Sequence, residues 1–260
     1  MSPDTLDLAG KVAIVTGSGR ETGIGACIAS TLARNGALVI INHVSDASSP
    51  RATNVMEDIC RQGGRAAVVK ADVTTPEGAK ALINETLLVF GVDHIDILVN
   101  NAAAGMPHGV PNATRESVDT LFSSIVYAPI FLVQAAVPYM PRGSRVINIG
   151  SIASKLGMAP IAIYGAAKAA ADALTYSMAM ELGRSRGITI NTVSPGPVDT
   201  DALPKEQAEI INRTLVPMTR AEERVGTTHD IADAVLLLVS EKSRWITGQV
   251  ISVSGGITGG

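Results

Sequence analysis

Apolar residues are distributed along the chain in two alternating rhythms. Short, nearly unbroken runs of Val, Ile and Leu occur at 12–15, 38–42, 66–70, 95–99, 145–149, 189–193 and 249–253. Longer stretches with apolar positions every three or four residues lie between them. Short unbroken apolar runs fit strands buried on both faces, as in a parallel sheet. The longer rhythm fits helices that cover such a sheet. Helices are predicted over 25–35 and 51–62, each followed by glycine, which readily takes the left-handed turn that ends a helix. Thr75 then Pro76 reads as an N-cap followed by a first helical residue, and the helix should run to about residue 90. A long helix is predicted over 115–139, kinked at Pro129. Strand and helix alternating throughout predict an α/β fold. Its centre is a doubly wound parallel sheet of about seven strands with helices on both faces, in one domain spanning 1–260. The stretch 201–224 is richer in charge and proline and reads as a mobile excursion on the substrate side.

Composition narrows the function classes. The 260 residues are 46% hydrophobic but only 3% aromatic, with 25 glycines, which suits close packing of helices on a sheet. The net charge of −3 and the lack of a basic stretch argue against nucleic acid as a partner. Cys27 and Cys60 show no metal or disulfide spacing. His43, His94, His108 and His229 are scattered, so no metal site is expected. No apolar run of spanning length and no leader-like segment stand out. The expectation is a cytoplasmic protein without a membrane partner.

Two segments suggest chemistry. The first predicted strand runs into Thr-Gly-Ser-Gly-Arg-Glu-Thr-Gly-Ile-Gly at 16–25, which opens the first helix. Glycines at such a turn let backbone approach a pyrophosphate, and the helix start offers free N–H groups. Gly17, Ser18, Gly23, Ile24 and Gly25 are therefore candidate nucleotide contacts. The second strand ends at Asn42, His43 and Ser45, with no acid before Asp46. An acid there would accept from both ribose hydroxyls and repel a 2′-phosphate. Asn42 and Ser45 can donate to such a phosphate, and Arg20 can reach it from the glycine loop. This favours NADP(H) over NAD(H), although Glu21 beside Arg20 argues the other way. The second segment holds Tyr164 and Lys168, one helical turn apart. A phenol beside a fixed cation is a usable proton donor to a carbonyl oxygen.

In order and spacing, these motifs resemble the short-chain dehydrogenase/reductase family over essentially the whole chain. The glycine loop is similar to that family's Thr-Gly-x-x-x-Gly-x-Gly element, and Asp72 with Val73 to its adenine-contacting Asp-Val pair. Asn100, Asn101 and Ala102 match the start of its Asn-Asn-Ala-Gly element. Ser151 stands thirteen residues before Tyr164, the family's usual separation. Pro195, Gly196, Val198 and Thr200 match the segment that lines the nicotinamide. Residues 39–45 resemble the ketoacyl-carrier reductases and the fungal polyhydroxynaphthalene-type reductases. The resemblance implies a Rossmann-like fold and hydride transfer from NADPH to a small carbonyl compound, or the reverse from an alcohol. It implies Tyr164 as proton donor, Ser151 as hydrogen-bond donor to the same oxygen, and Lys168 beside the phenol and the nicotinamide ribose. It also implies a homotetramer or dimer built on the long helices, with the small residues Ala166, Ala169, Ala170 and Ala173 facing either a partner or the sheet.

Three departures stand out. The glycine loop has five residues between Gly17 and Gly23 where the family has three, so it should bulge at 20–22. Ala103 replaces a glycine and should narrow the space beside the nicotinamide. Ile125 falls where the family places an Asn that holds a proton-relay water. Ser123 and Ser124 stand next to it. The loss of the Asn keeps open a non-redox alternative, a cyclase, isomerase or dehydratase that retains NADP(H) as a bound ligand. The substrate pocket is expected from 103–110, 152–159, 196–197 and the excursion. Its lining of Met106, Ile152, Met158, Leu203, Leu215 and Met218 favours an apolar or aromatic substrate.

Overall fold

A computed structural model of the chain describes residues 6–104 and 109–259. Seven parallel strands form its sheet: β1 (Val12–Val15), β2 (Leu38–His43), β3 (Arg65–Lys70), β4 (Ile97–Asn100), β5 (Arg145–Ile149), β6 (Thr189–Pro195) and β7 (Val250–Val253). Their order across the sheet is β3-β2-β1-β4-β5-β6-β7. The central strands are apolar on both faces because both faces are covered. Ala13, Val15, Val39 and Ile41 pack under α1 (Ile24–Arg34), α2 (Ser49–Arg61) and α9 (Thr228–Val239). Ile14, Ile40, Leu98 and Val146 pack under α3 (Pro76–Phe90), α5 (Ala128–Ala136) and α7 (Ala162–Arg186). The N-cap expected at Thr75 is present, with its hydroxyl accepting from the Gly78 N–H at 3.0 Å. The excursion is helical, carrying α8 (Lys205–Leu215).

The long helix predicted over 115–139 is interrupted. It divides into α4 (Arg115–Phe122), a π turn (Ser123–Tyr127) and α5, followed by a 3-10 turn. Pro129 carries no N–H, so the carbonyl four residues before it, that of Ile125, has no α-helical donor. The backbone widens just upstream, and the Ala128 N–H reaches back to the Ser123 carbonyl. Contrary to the expectation of no spanning run, Arg115–Tyr139 is long and apolar enough to cross a membrane by length and composition. Its apolar positions serve packing: α5 lies against α3, and the π turn and α4 lie against α7.

A buried polar chain ties the strands that carry the candidate site to α7. Asn100 Nδ2 donates to Asn148 Oδ1 at 2.7 Å, and Asn148 Nδ2 donates to Thr175 Oγ1 at 2.7 Å. The Thr175 hydroxyl donates to the Ala171 carbonyl at 3.0 Å and lies 2.8 Å from the Thr192 hydroxyl. Thr175→Val keeps the volume but strands the Asn148 amide and the Thr192 hydroxyl. The expected cost is about 2–3 kcal/mol, read from urea denaturation. An unchanged midpoint would show that water replaces the lost contacts.

Candidate active site

The strand order reverses between β1 and β4, and the chain ends leaving these strands frame a crevice at the carboxyl edge of the sheet. Thr16, just after β1, accepts at Oγ1 from the Asn101 and Ala102 N–H groups, each at 3.0 Å. Asn101 answers with its side-chain amide, donating to the Thr16 carbonyl at 2.8 Å and the Gly17 carbonyl at 3.1 Å. Gly17 has φ +60°, and a Cβ there would lie 2.8 Å from Ala102 Cα. At Gly25 a Cβ would lie 2.5 Å from Asn101 Nδ2. The glycines thus bring the two loops into direct contact. The start of α1, with Gly23 as N-cap, carries no side-chain cap, so its first N–H groups are left for a ligand.

At the end expected to hold the adenosine ribose, the Asn42 side chain needs correction as a phosphate donor. Asn42 is buried, and its amide donates to the carbonyls of His43, Val69 and Ala71. Ser18 is also buried, donating to the Val15 carbonyl at 2.7 Å and accepting from the Asn42 N–H. His43 is buried, with Nδ1 against the Ser45 carbonyl and the Ser48 hydroxyl. These three side chains brace the loop from within, and the Asn42 amide and the Ser18 hydroxyl have their donors committed to backbone carbonyls. Ser45 and Arg20 are exposed. Asp46 is turned to Lys70 at 2.7 Å. Asp72 is exposed, with Oδ1 accepting from Thr74, and Val73 is buried beside it.

The bulge expected at 20–22 forms a charged cluster that sequence reasoning missed. Arg51, in the first turn of α2, donates to Glu21 at 2.5 Å and to Asp201 at 2.9 Å. Arg20 lies 3.7 Å from the other Asp201 oxygen, and Asn54 donates to Glu21 at 3.2 Å. The Arg51 hydrogen bond holds the Glu21 carboxyl below its ordinary range. Burial pushes the Asp201 carboxyl up, but hydrogen bonds from Thr22 and Arg51 and the charge of Arg20 together bring it below its ordinary range. The two additional loop residues thus connect the glycine loop to the start of the excursion. No local pattern announces a pair separated by 150 positions.

At the other end of the crevice, β5 leads into Ser151 and the short α6 (Ala153–Leu156), and α7 presents Tyr164 and Lys168 from its first turns. Lys168 is buried; Nζ donates to the Ile149 carbonyl at 2.6 Å and lies 5.6 Å from the centroid of the Tyr164 ring. The Tyr164 ring is half-buried. Ser151 Oγ accepts from the Ala153 N–H at 3.2 Å, which leaves its own proton free to be donated. Ile125 is buried with Leu121, Ala167 and Ala171, and Tyr164 packs against this group. Where the resemblance implies an amide, this chain therefore has an apolar support for the phenol ring. One helical turn beyond Lys168, burial pushes the Asp172 carboxyl up, opposed by Ser154, Lys168 and Lys155. Neither Asp172 Oδ1 nor Ser154 Oγ makes a hydrogen bond of ordinary geometry.

Pro195 closes β6, with its carbonyl accepting from the Ile152 N–H at 3.0 Å. Gly196 passes close to β7, where a Cβ would lie 2.9 Å from Ser254 Cβ. Val198 pairs with Gly226, and Thr200 Oγ1 accepts from the Ala202 N–H. Ala103 is exposed at the crevice. The expected pocket lining needs revision. Ile152 and Leu215 are buried together with Ile257, so they anchor α8 instead of facing a ligand. Met158 and Ile211 pack at the margin of that group, and Met218 is exposed. Met106 and His108 lie outside the described residues.

Residues 17–258 match the family model described as enoyl-(acyl carrier protein) reductase. The short-chain dehydrogenase/reductase FrzI of Cladobotryum sp is 40% identical over 260 residues, covering 98% of this chain and 97% of that protein. Among solved structures, a dehydrogenase/reductase from Sinorhizobium meliloti 1021 superposes with a TM-score of 0.88 at 35% identity, covering 98% of this chain and 97% of that one. The landomycin C-6 ketoreductase LanV, solved with bound NADP and rabelomycin, gives a TM-score of 0.85 at 35% identity over 96% of this chain and 97% of that one.

Proposed function

Because the chain belongs to the short-chain dehydrogenase/reductase family, we propose that it is a single-domain NADPH-dependent reductase of an apolar or aromatic ketone, or the reverse alcohol dehydrogenase. The observation that carries this reading is the grouping of Ser151, Tyr164 and Lys168 at one end of a crevice whose other end is the glycine loop. The residues fit the cofactor: Gly17 and Gly25 keep the loops close, and the start of α1 is uncapped. Arg20 and Ser45 are the exposed donors for a 2′-phosphate, while Arg51 is shared between Glu21 and Asp201. No acid competes at the end of β2, since Asp46 is held by Lys70. NADP bound to LanV supports the same choice over NAD(H).

When bound, NADPH supplies the hydride. Tyr164 gives its proton to the carbonyl oxygen as charge develops there. Ser151 donates a hydrogen bond to the same oxygen and lowers the energy of the developing alkoxide. Lys168, anchored on the Ile149 carbonyl, stabilises the phenolate that Tyr164 leaves behind. Asn101 and Thr16 hold the two loops at the spacing the cofactor needs. Pro195, Gly196, Val198 and Thr200 form the side of the crevice assigned to the nicotinamide, Ala102 and Ala103 the opposite side, and Asp72 with Val73 the adenine end. A ketone as substrate agrees with LanV, a C-6 ketoreductase solved with rabelomycin bound.

The test is NADPH oxidation by purified protein over a panel of aryl and alicyclic ketones, followed at the reduced-nicotinamide absorbance band. Tight NADPH binding with no oxidation by any ketone would replace the reductase with a non-redox enzyme on the same scaffold. The protein is further proposed to be a homo-oligomer. Ala166, Ala169 and Ala173 face outward from α7, and Tyr127, Tyr176, Met180 and Trp245 are exposed. Light scattering should give two or four times the 26.8 kDa of one chain, and a mass of one chain would refute this.

A further inference from the structure

We propose that Ser124 is a positioning residue that fixes the pocket wall after β4 relative to the proton donor Tyr164. This inference rests on the crevice being the active site and names the part of the π turn that sets its geometry. Ser124 is only 3% exposed, and its hydroxyl lies between its own helix and the segment after β4. Oγ accepts from the Ala104 N–H at 3.0 Å. The Ala104 and Leu121 carbonyls both lie 3.2 Å from Oγ and compete for its proton. Ala104 belongs to the stretch that leaves β4 and forms one side of the crevice. Upstream, Asn101 and Ala102 are already held by Thr16. Ala103 is thus suspended between two anchored points, with its methyl group exposed at the crevice.

The neighbouring residue supplies the other half of the argument. Ile125 turns into the apolar group against which Tyr164 packs. Two consecutive residues of the π turn therefore serve two targets: Ser124 holds the wall, and Ile125 supports the ring of the proton donor. The turn fixes the distance between the surface a ketone leans on and the phenol that protonates it. A buried hydroxyl with two partners on one exposed segment does more than satisfy a helix, because a helical serine needs only a carbonyl one turn back.

Hydrogen exchange at the Ala104 amide reads the tether without turnover. In the unmodified protein this amide should exchange slowly, and exchange at the rate of an open loop would overturn the proposal. Ser124→Ala should release the amide and raise KM for 1-tetralone about tenfold, the loss of roughly one hydrogen bond. The kcat and the affinity for NADPH should stay within about a factor of three. Ser124→Thr keeps the hydroxyl and should restore both slow exchange and KM. Unchanged KM and unchanged exchange in Ser124→Ala would refute the role. Should no ketone be reduced, the reductase reading fails, while the exchange measurement still decides whether Ser124 holds the wall.

Discussion

Tyr164→Phe is expected to lower kcat for ketone reduction about 10³–10⁴-fold while leaving NADPH affinity within a factor of three. The ring is half-buried against Ile125, Leu121 and Ala167, so Phe keeps its packing and removes only the hydroxyl. Lys168 keeps its hydrogen bond to the Ile149 carbonyl, so the local backbone has no reason to move. The loss should therefore fall on the chemical step. Ser151 can still donate a hydrogen bond to the carbonyl oxygen, but it cannot replace a proton donor beside a fixed ammonium. Steady-state kinetics together with a fluorescence titration of NADPH separate the two quantities. Unchanged turnover would show that the proton comes from elsewhere.

Gly17→Ala should reduce NADPH affinity about 10²-fold and lower the melting temperature. The backbone at Gly17 sits at φ +60°, which costs an L-residue roughly 1–2 kcal/mol. The added methyl group would also stand 2.8 Å from Ala102 Cα, a backbone atom that cannot swing aside. Relief requires the loops to part, which breaks the Thr16 and Asn101 contacts and moves the N–H groups meant for the pyrophosphate. Calorimetry and an NADPH titration would check both effects. Wild-type affinity in this variant would mean that the loops can separate without cost to the cofactor site.

Much of the sheet was legible because a strand buried on both faces leaves a local trace, an unbroken apolar run. The glycine loop and the Tyr164–Lys168 pair were legible for a similar reason: each is a short-range spacing in a recognisable structural context. The side chains of Asn42 and Ser18 were not. A sequence shows that they are donors, but only the structure shows where those donors go: Asn42 to carbonyls at the end of β3, Ser18 back to the Val15 carbonyl of β1. The Arg51–Asp201 contact, joining segments far apart in the chain, left no local trace either. Ile152 and Leu215 read as pocket residues because apolar lining and apolar core look alike until the partner is known. Pro129 announced a kink, but a one-residue widening upstream of it depends on where the displaced N–H groups find carbonyls.

The π turn makes chain length at this point as consequential as side-chain identity. It is an α-helix holding one residue too many between α4 and α5. The wide turn takes up that residue, so α4 keeps the phase relative to α5 that an unbroken helix one residue shorter would have. A second added residue, with no wide turn to take it up, would rotate everything upstream by about 100° and carry Leu121 out of the core. Exchanges of side chain within this turn adjust the crevice by degrees. Such an unabsorbed insertion would instead reset the phase of the whole α4 face, so length changes beyond what the turn takes up should be selected against far more strongly than substitutions.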